Sequence, residues 1–576
     1  MLAFCILRRQ VCLMRIATTI AITLLQVLCV RCLQGSVTGP TTSLASVTWD
    51  GTNGRFDVHD VNRSNAIAWG NFTNDINNTG WSYLEIYTNP FFMDHQQAYA
   101  AGLVEARLTS SLIEKQFNNV YGNYCRDDPV YCRKLYGYLE TNIEFMLNAT
   151  RDYSASDPYW HQVGLLLIQL AGLQTGMSGA ANYVYVGDNL TPNVSDVLIL
   201  NLHGDLDDLQ QKFNWTGVHS RRAHLASSSC SAIVKPTPDN EDLYFAHTTW
   251  TGYNTMLRIL KKYTLPYHAG LFDKKAIPGK SITFSSYPGR LFSGDDFYLV
   301  DTGLAVMETT IGNENAELWK EVKPIGTVQE WIRNMVANRL ATTGEEWTDI
   351  FARYNSGTYN NQWMVADYKR FTPGDAEFQD GLLWILEQIP GTIESADVTS
   401  VLSEQRYWAS YNSPYFQNIF NKSGLRELVE RYGDWYSYDR SPRARMFRRD
   451  QGTVTDTQTL VRLMRYNDFE HDPLSLCDQC EPKPNAENAI AARSDLNAAN
   501  GSYPFYALVR RPHGATDLKL TTWALFRDLQ FWAISGPTYQ QQPPFRWSTS
   551  GFDDVVHDGH PDLWQFQPVV HKWRRH

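Results

Sequence analysis

Apolar residues recur along the chain with two different periods, and the change between them divides it. From 44 to 100 short apolar runs are broken by Trp, Asn and Gly, a pattern of short strands and loops. Ala98, Ala101, Leu103, Val104, Leu108, Leu112 and Ile113 then fall at helical spacing and predict a helix over Gln96–Tyr121. Val163, Leu166, Leu167 and Leu170 do the same within Asp157–Leu173. Asp196–Phe213 reads as a short strand or helix followed by a helix. Asn214–Ser229 is polar, holds Arg221 and Arg222, and reads as an exposed linker where cleavage is tolerated.

Past the linker, strands dominate. Ser227–Lys235 and Leu243–Trp250 are β-prone runs flanking the turn Pro236–Asn240, which predicts a hairpin. Ser281–Ser286 reads as a strand, and Phe297–Val300 with Leu304–Thr310 as a second hairpin around Asp301–Gly303. Helices are expected at Val328–Leu340, Glu345–Tyr354, Leu425–Tyr432 and Asp456–Met464, and strands at Gln362–Asp367 and Leu382–Leu386. The tail Leu518–Trp532 is strand-like and aromatic. Hairpins between helical runs suggest two stacked antiparallel sheets covered by helices on either side.

The length of 576 residues allows several domains or one large elaborated one. Formal charge is −10, and −14 once the four arginines of residues 1–35 are set aside. An acidic body argues against nucleic acid as a partner and against a strong electrostatic hold on anionic membranes. Arg8, Arg9 and Arg15 precede an apolar run, Ile16–Val30, with small and polar residues around Cys32–Ser36. That is a secretory signal peptide over 1–35 rather than a membrane span. Glycosylation sequons at Asn62, Asn71, Asn77, Asn148, Asn189, Asn193, Asn214, Asn421 and Asn500 agree with secretion and place those loops in solvent if used.

Secretion makes the cysteines informative. Cys5, Cys12, Cys29 and Cys32 fall in the signal, which leaves Cys125, Cys132, Cys230, Cys477 and Cys480. Cys125 and Cys132 are close, as are Cys477 and Cys480, and each pair can close a short disulfide. The second pair also has the spacing of a zinc or redox motif, without the second Cys/His pair or the βαβ context those need. Cys230 is left odd, a candidate reactive thiol.

Cys230 opens a strand after Ser227, Ser228 and Ser229. Such a cysteine can attack the Ser229 carbonyl, pass through a thioester, and emerge as an N-terminal nucleophile with its own α-amine as base. The plain alternative is a buried cysteine at a strand start. Other hydrolase signatures are absent: no G-x-S-x-G, with Gly176–Ala180 the nearest miss, no H-E-x-x-H, and too few cysteines for a small disulfide-framed phospholipase. His247 lies on the paired strand and Trp250 three residues on, and each also reads as an ordinary strand or core residue. Asn412 sits in a turn before Pro414, where its amide either donates to an oxyanion or serves the turn. Ser441–Asp450 is a basic cluster, either a solvated face or a site where one arginine binds a carboxylate or phosphate.

Taken together, Ser229–Ala232, His247–Trp250, Glu308–Thr310, Ser410–Tyr415 and Pro442–Ala444 through Arg449–Asp450 resemble the phospholipase B-like family in order and spacing. The resemblance spans essentially the whole chain after the signal. That family comprises glycosylated, lysosomal or secreted proteins with the N-terminal nucleophile hydrolase fold. It implies an α+β fold, a four-layer αββα sandwich. It implies a precursor cut between Ser229 and Cys230 into an N-terminal chain, 36–229, and a C-terminal chain, 230–576, which stay associated. It implies Cys230, His247, Asn412 and Arg443 as catalytic residues, and Trp250 with Thr309 or Thr310 as substrate-binding ones. It also implies the disulfides Cys125–Cys132 and Cys477–Cys480, and no metal or organic cofactor. In distant N-terminal-cysteine relatives such as bile-salt hydrolases, other residues stand in place of His247. The implied substrate is a glycerophospholipid losing its fatty acyl chains. The alternatives are an amidase on N-acyl lipids or small amides, and a non-catalytic lipid-binding glycoprotein. Lysosome or secretion is the implied location, and a transient membrane-surface contact and a homodimer stay open.

Overall fold

Alternation along the strands decides the layering. The computed structural model describes residues 39–574 except 123, 127, 185–190 and 216–228. The signal-peptide reading and Asn189 therefore lie outside the described residues, as does the linker from 216 to 228. The fold is that of the unit from Thr42 onward.

Among the described residues the strands form one sheet of twelve, one of seven and a small pair. The larger sheet runs from Thr392–Asp397 at one edge to Asn182–Val184 at the other, and contains the hairpin Phe297–Val300/Leu304–Thr310. The smaller sheet has Trp408–Ser410 at one edge, then Ser229–Pro236, Leu243–Gly252, Asp517–Thr521, Trp532–Ser535 and Val569–Val570, with the seventh strand, His513–Ala515, also paired to Leu243–Gly252. Successive strand residues point to opposite faces. Ala232, Val234, Leu243 and Phe245 of the smaller sheet therefore meet Leu299, Ala305, Met307 and Met364 of the larger one in a shared core. Ile233, Tyr244, Ala246, Leu518 and Leu520 point the other way, onto Met446, Phe447, Leu460 and Leu463 of the helices Pro442–Asp450 and Thr457–Met464.

The outer face of the larger sheet buries Leu84, Ile86, Val306 and Val365 under the helices Asp94–Tyr121, Pro129–Tyr153, Pro158–Gly176, Glu330–Leu340 and Gly344–Ala352. Two of these helices touch backbone to backbone. A Cβ at Gly102 would meet Gln169 O at 2.2 Å, and one at Gly172 would meet Tyr99 O at 2.2 Å, so only glycine fits at either position. The result is the expected αββα sandwich, of the type with a strand-opening cysteine between its sheets. Among the described residues no helix is long and apolar enough to cross a membrane.

Several local readings change. Pro129–Tyr153 is a helix that apolar spacing alone did not predict. Its signal is Asp128-Pro129: the Asp128 side chain accepts from Tyr131 N, and proline suits the first helical position. Leu518–Trp532 is not one strand. Asp517–Thr521 ends at Thr522, whose side chain accepts from Leu525 N and starts the short helix Trp523–Phe526, and the chain returns as Trp532–Ser535. The sequon Asn71 is not in a solvent loop. It lies in the strand Ala68–Asp75, 3% exposed, and accepts from Arg574 Nη1 at 3.0 Å, which leaves no room for a glycan. Asn62, Asn77, Asn193, Asn214, Asn421 and Asn500 are exposed, and Asn148 is half-buried on a helix. Disulfides join Cys125 to Cys132 and Cys477 to Cys480, so the Cys-x-x-Cys pair is a staple. Cys230 is the free cysteine among the described residues.

Candidate active site

Cys230 stands second in the strand Ser229–Pro236, paired opposite Thr249, with Ser229 opposite Trp250 and Ala232 opposite His247. On its other side Ser410 pairs with Ala232. The inner-face alternation that buries Ala232 and Val234 therefore carries Cys230 into the same gap between the sheets. The thiol is almost wholly buried. Burial pushes it well above the ordinary thiol range, and Glu308 adds to the shift.

The backbone around Cys230 is held by two side chains, one from the turn after Trp408–Ser410 and one from a helix. Cys230 N donates to Asn412 Oδ1 at 3.0 Å. Arg443 Nη1 donates to Cys230 O at 2.6 Å and to Asn412 Oδ1 at 2.8 Å. Asn412 has a left-handed backbone, φ 66°, which asparagine tolerates better than most residues. Its own Nδ2 donates to Thr310 O at 2.7 Å, and its backbone N to Thr309 Oγ1 at 3.4 Å. Thr309 Oγ1 also meets Ser410 Oγ at 2.6 Å. Toward Cys230, then, Asn412 presents an acceptor, where sequence reasoning expected an oxyanion donor. Arg443 comes from the first turn of the helix Pro442–Asp450, and its guanidinium stacks over the Trp250 ring at 4.2 Å. Burial lowers Arg443 to about 10, which leaves it cationic near neutral pH. Of the basic cluster, Arg448 is turned outward to Asp439 O, and Arg449 pairs with Asp450 and Asp472.

His247 lies fully buried on the same inner face. Its Nε2 bonds Glu308 O at 2.9 Å and so carries the proton, while Nδ1 has no hydrogen-bond partner. Burial, then the Lys519 charge, hold the ring well below its ordinary value, so it is neutral. Cys230 Sγ, a His247 ring nitrogen and a Glu308 carboxylate oxygen lie within 4.8 Å of one another, the one such ligand cluster among the described residues. Burial, then Asp296, push the Glu308 carboxyl well up.

Sequence reasoning missed the charges behind this cluster. Lys519 donates to Thr249 Oγ1 at 2.5 Å and to both Asp517 oxygens, at 3.0 and 2.8 Å. Arg258 pairs with Asp517 at 2.9 Å and with Asp295. The signal was present in the strand Asp517–Thr521, where two charges alternate with Leu518 and Leu520.

A cavity of about 440 Å³ reaches this site, lined by Ser229, Thr310, Asn412 and Arg443 and by the rings of Tyr411, Trp435 and Phe505. Cys230 itself does not line it; Ser229 stands in between. The arrangement can hold a peptide nitrogen, polarise the carbonyl that follows it, and receive a proton from a thiol on a neutral imidazole.

The chain is similar to known proteins over most of its length. The family model for Phospholipase B matches residues 68–571. A phospholipase B-like 2 protein of Rattus norvegicus is 50% identical over 93% of this chain and 91% of its own length. That of Homo sapiens is 50% identical over 93% and 90%. A phospholipase B-like 1 protein of Caenorhabditis elegans is 42% identical over 88% of each. A solved variant of conjugated bile acid hydrolase from Clostridium perfringens is 10% identical over 60% of this chain and 97% of that one. Its TM-score is 0.27, a superposition too loose to bear on the site.

Proposed function

The chain belongs to the phospholipase B family, and from that premise we propose that it is an acyl hydrolase that works through Cys230 after cutting itself before that residue. In the uncut chain no α-amine exists, so the first proton needs another base. His247 Nδ1, neutral and unpartnered, takes it from the thiol. Sulfur bonds to the Ser229 carbonyl carbon, the Ser229–Cys230 C–N bond breaks, and Cys230 N gains the proton. Water then hydrolyses the thioester, giving a Ser229 carboxylate, a free thiol and a free α-amine.

The observation that carries the reading is the hold on one atom. Asn412 Oδ1, itself fixed by Arg443 and Thr310, accepts from Cys230 N. The same contact positions the amine that acts as base in turnover, near its ordinary pKa of about 7.7–8.0. Trp250 supports Arg443, Thr309 and Thr310 support Asn412, and the aromatic cavity takes the acyl chain. The substrate class is a glycerophospholipid, in a glycosylated protein routed to the lysosome or secreted. The pieces 36–229 and 230–576 stay together.

N-terminal sequencing of the secreted protein, with fatty-acid release from phosphatidylcholine and from an N-acyl amide, tests this. A chain starting at Cys230 and release from the phospholipid are expected. A different start, with Cys230→Ala still cut and active, overturns mechanism and site together. Release from the amide alone overturns the substrate class and leaves the mechanism.

A further inference from the structure

Three chemically different ligand atoms converge at this end of the strands: Cys230 Sγ, a His247 ring nitrogen and a Glu308 carboxylate oxygen, all within 4.8 Å and all buried. Zinc holds such ligands at about 2.0–2.3 Å in a tetrahedron, which puts ligand atoms roughly 3.5 Å apart. The three atoms need to close by only about 1 Å to reach that geometry.

Two independent features point to a ligand there. The His247 Nε2 proton is given to Glu308 O, while Nδ1 stays unpartnered in a fully buried side chain. A backbone carbonyl on one ring nitrogen is the usual outer partner of a histidine whose other nitrogen binds metal. Of the nearby charges, Arg258 and Lys519 are already paired with Asp295 and Asp517, so neither cation is left over to neutralise the cluster. A thiolate and a carboxylate then supply the two negative charges that a divalent ion requires.

We propose that the uncut chain binds a divalent transition-metal ion, Zn²⁺ or one of like preference, on Cys230 Sγ, His247 Nδ1 and the Glu308 carboxylate, and that this ion arrests the cut before Cys230. Binding is ligand exchange without redox: one proton leaves the thiol, one leaves the carboxylic acid, and both go to solvent. The ion occupies the sulfur lone pair and the base nitrogen together, so neither serves the first attack. The arrest rests on the nucleophile reading above; the metal site does not.

The test uses the full-length uncut protein, stripped with a chelator and titrated with Co²⁺ and Zn²⁺. A thiolate-to-cobalt charge-transfer band and one tightly bound equivalent are expected. Both disappear in Cys230→Ala, and affinity falls roughly tenfold or more in the near-isosteric Glu308→Gln, which keeps the fold even if the alanine variant does not. All variants keep the other cysteines, so the differences isolate this site. Equal binding by Cys230→Ala, or no band in the wild type, overturns the site. In the same samples chelator should hasten the Cys230-starting chain and Zn²⁺ should stop it. A band with an unhindered cut overturns the arrest alone. A band with no cut in either sample overturns the nucleophile reading and leaves the site standing.

Discussion

The gap between the two sheets has two ends built from the same strands, and they follow opposite rules. Toward the turn after Pro236 the inner rows are apolar: Val234 and Ala232, Leu243 and Phe245, Ala305 and Met307, Leu383 and Ile385. Two residues further along, each row turns polar, to Cys230, His247 and Thr249, Thr309, and Glu387. The apolar end stabilises, at about 1.5–3 kcal/mol for each large side chain buried. The other end takes ions out of water at several kcal/mol apiece, a cost offset only where each is paired. A fold selected for stability alone has no use for Arg258, Asp295, Asp517 and Lys519 there. Their presence marks the end where chemistry, rather than packing, sets the residue types.

The sharpest break in the comparison is Cys230→Ala, a loss of one sulfur at the polar end. It should abolish both the cut and fatty-acid release while the thermal melt stays near wild type, since alanine fits a strand start. An active variant would make the polar end structural.

Next comes a paired stability measurement by denaturant melts. Lys519→Met leaves Asp517 and Asp295 short of a partner and should cost about 3–5 kcal/mol. Phe245→Leu at the apolar end should cost less than about 1.5 kcal/mol and leave the cut unchanged. Equal costs would erase the distinction between the ends.

Glu387 offers a pH test. It accepts from Tyr415 N at 2.6 Å and Phe416 N at 3.1 Å, and so anchors the loop that follows Asn412. Burial pushes its carboxyl up to about 7, from an unperturbed 4.5. Between those values the folded chain keeps a proton that the unfolded chain releases. Its stabilising contribution is therefore full below about pH 4.5 and lost as pH climbs through 7. The stability of wild type relative to Glu387→Gln should fall by on the order of 3 kcal/mol between pH 4.5 and 8. A flat difference would place that carboxylate in contact with solvent.

The smallest effects concern the arginines. Arg443→Lys keeps the charge but loses the planar guanidinium that stacks on Trp250 and sets Nη1 against both Cys230 O and Asn412 Oδ1. Fatty-acid release should fall by about 1.5–3 kcal/mol in barrier terms. Arg448→Lys, turned outward, should change nothing measurable. Equal losses at both would mean that the cluster acts as a unit and that Arg443 has no role of its own.

The apolar end was legible in the sequence because alternation with period two is what a half-buried strand requires. Both hairpins and the two sheets followed from it. Cys230 stood out by cysteine parity, and Asn412 and Arg443 by their place in a family pattern. The charges escaped because Lys519 inside an apolar strand reads locally as an edge, and Asp295, in the loop before Phe297–Val300, as a turn. The pairing of Lys519 and Arg258 with Asp295 and Asp517 appears only once the two sheets face each other. The helix Pro129–Tyr153 escaped for a different reason. Its buried stripe is narrow, and its clearest mark is the cap at Asp128.

The strand Trp81–Thr88 lies parallel beside Ile259–Thr264, in register from Ser82 opposite Ile259 to Tyr87 opposite Thr264. These strands lie on opposite sides of residue 230 in sequence. A break in the covalent chain before Cys230 therefore runs through none of this seam. Two pieces cut there would share one sheet as interlocked halves, and neither could diffuse away without tearing that ladder and wetting the core on both of its faces. Scission here would convert a peptide bond into a reactive end while leaving the molecule mechanically whole, so both pieces should melt in one step.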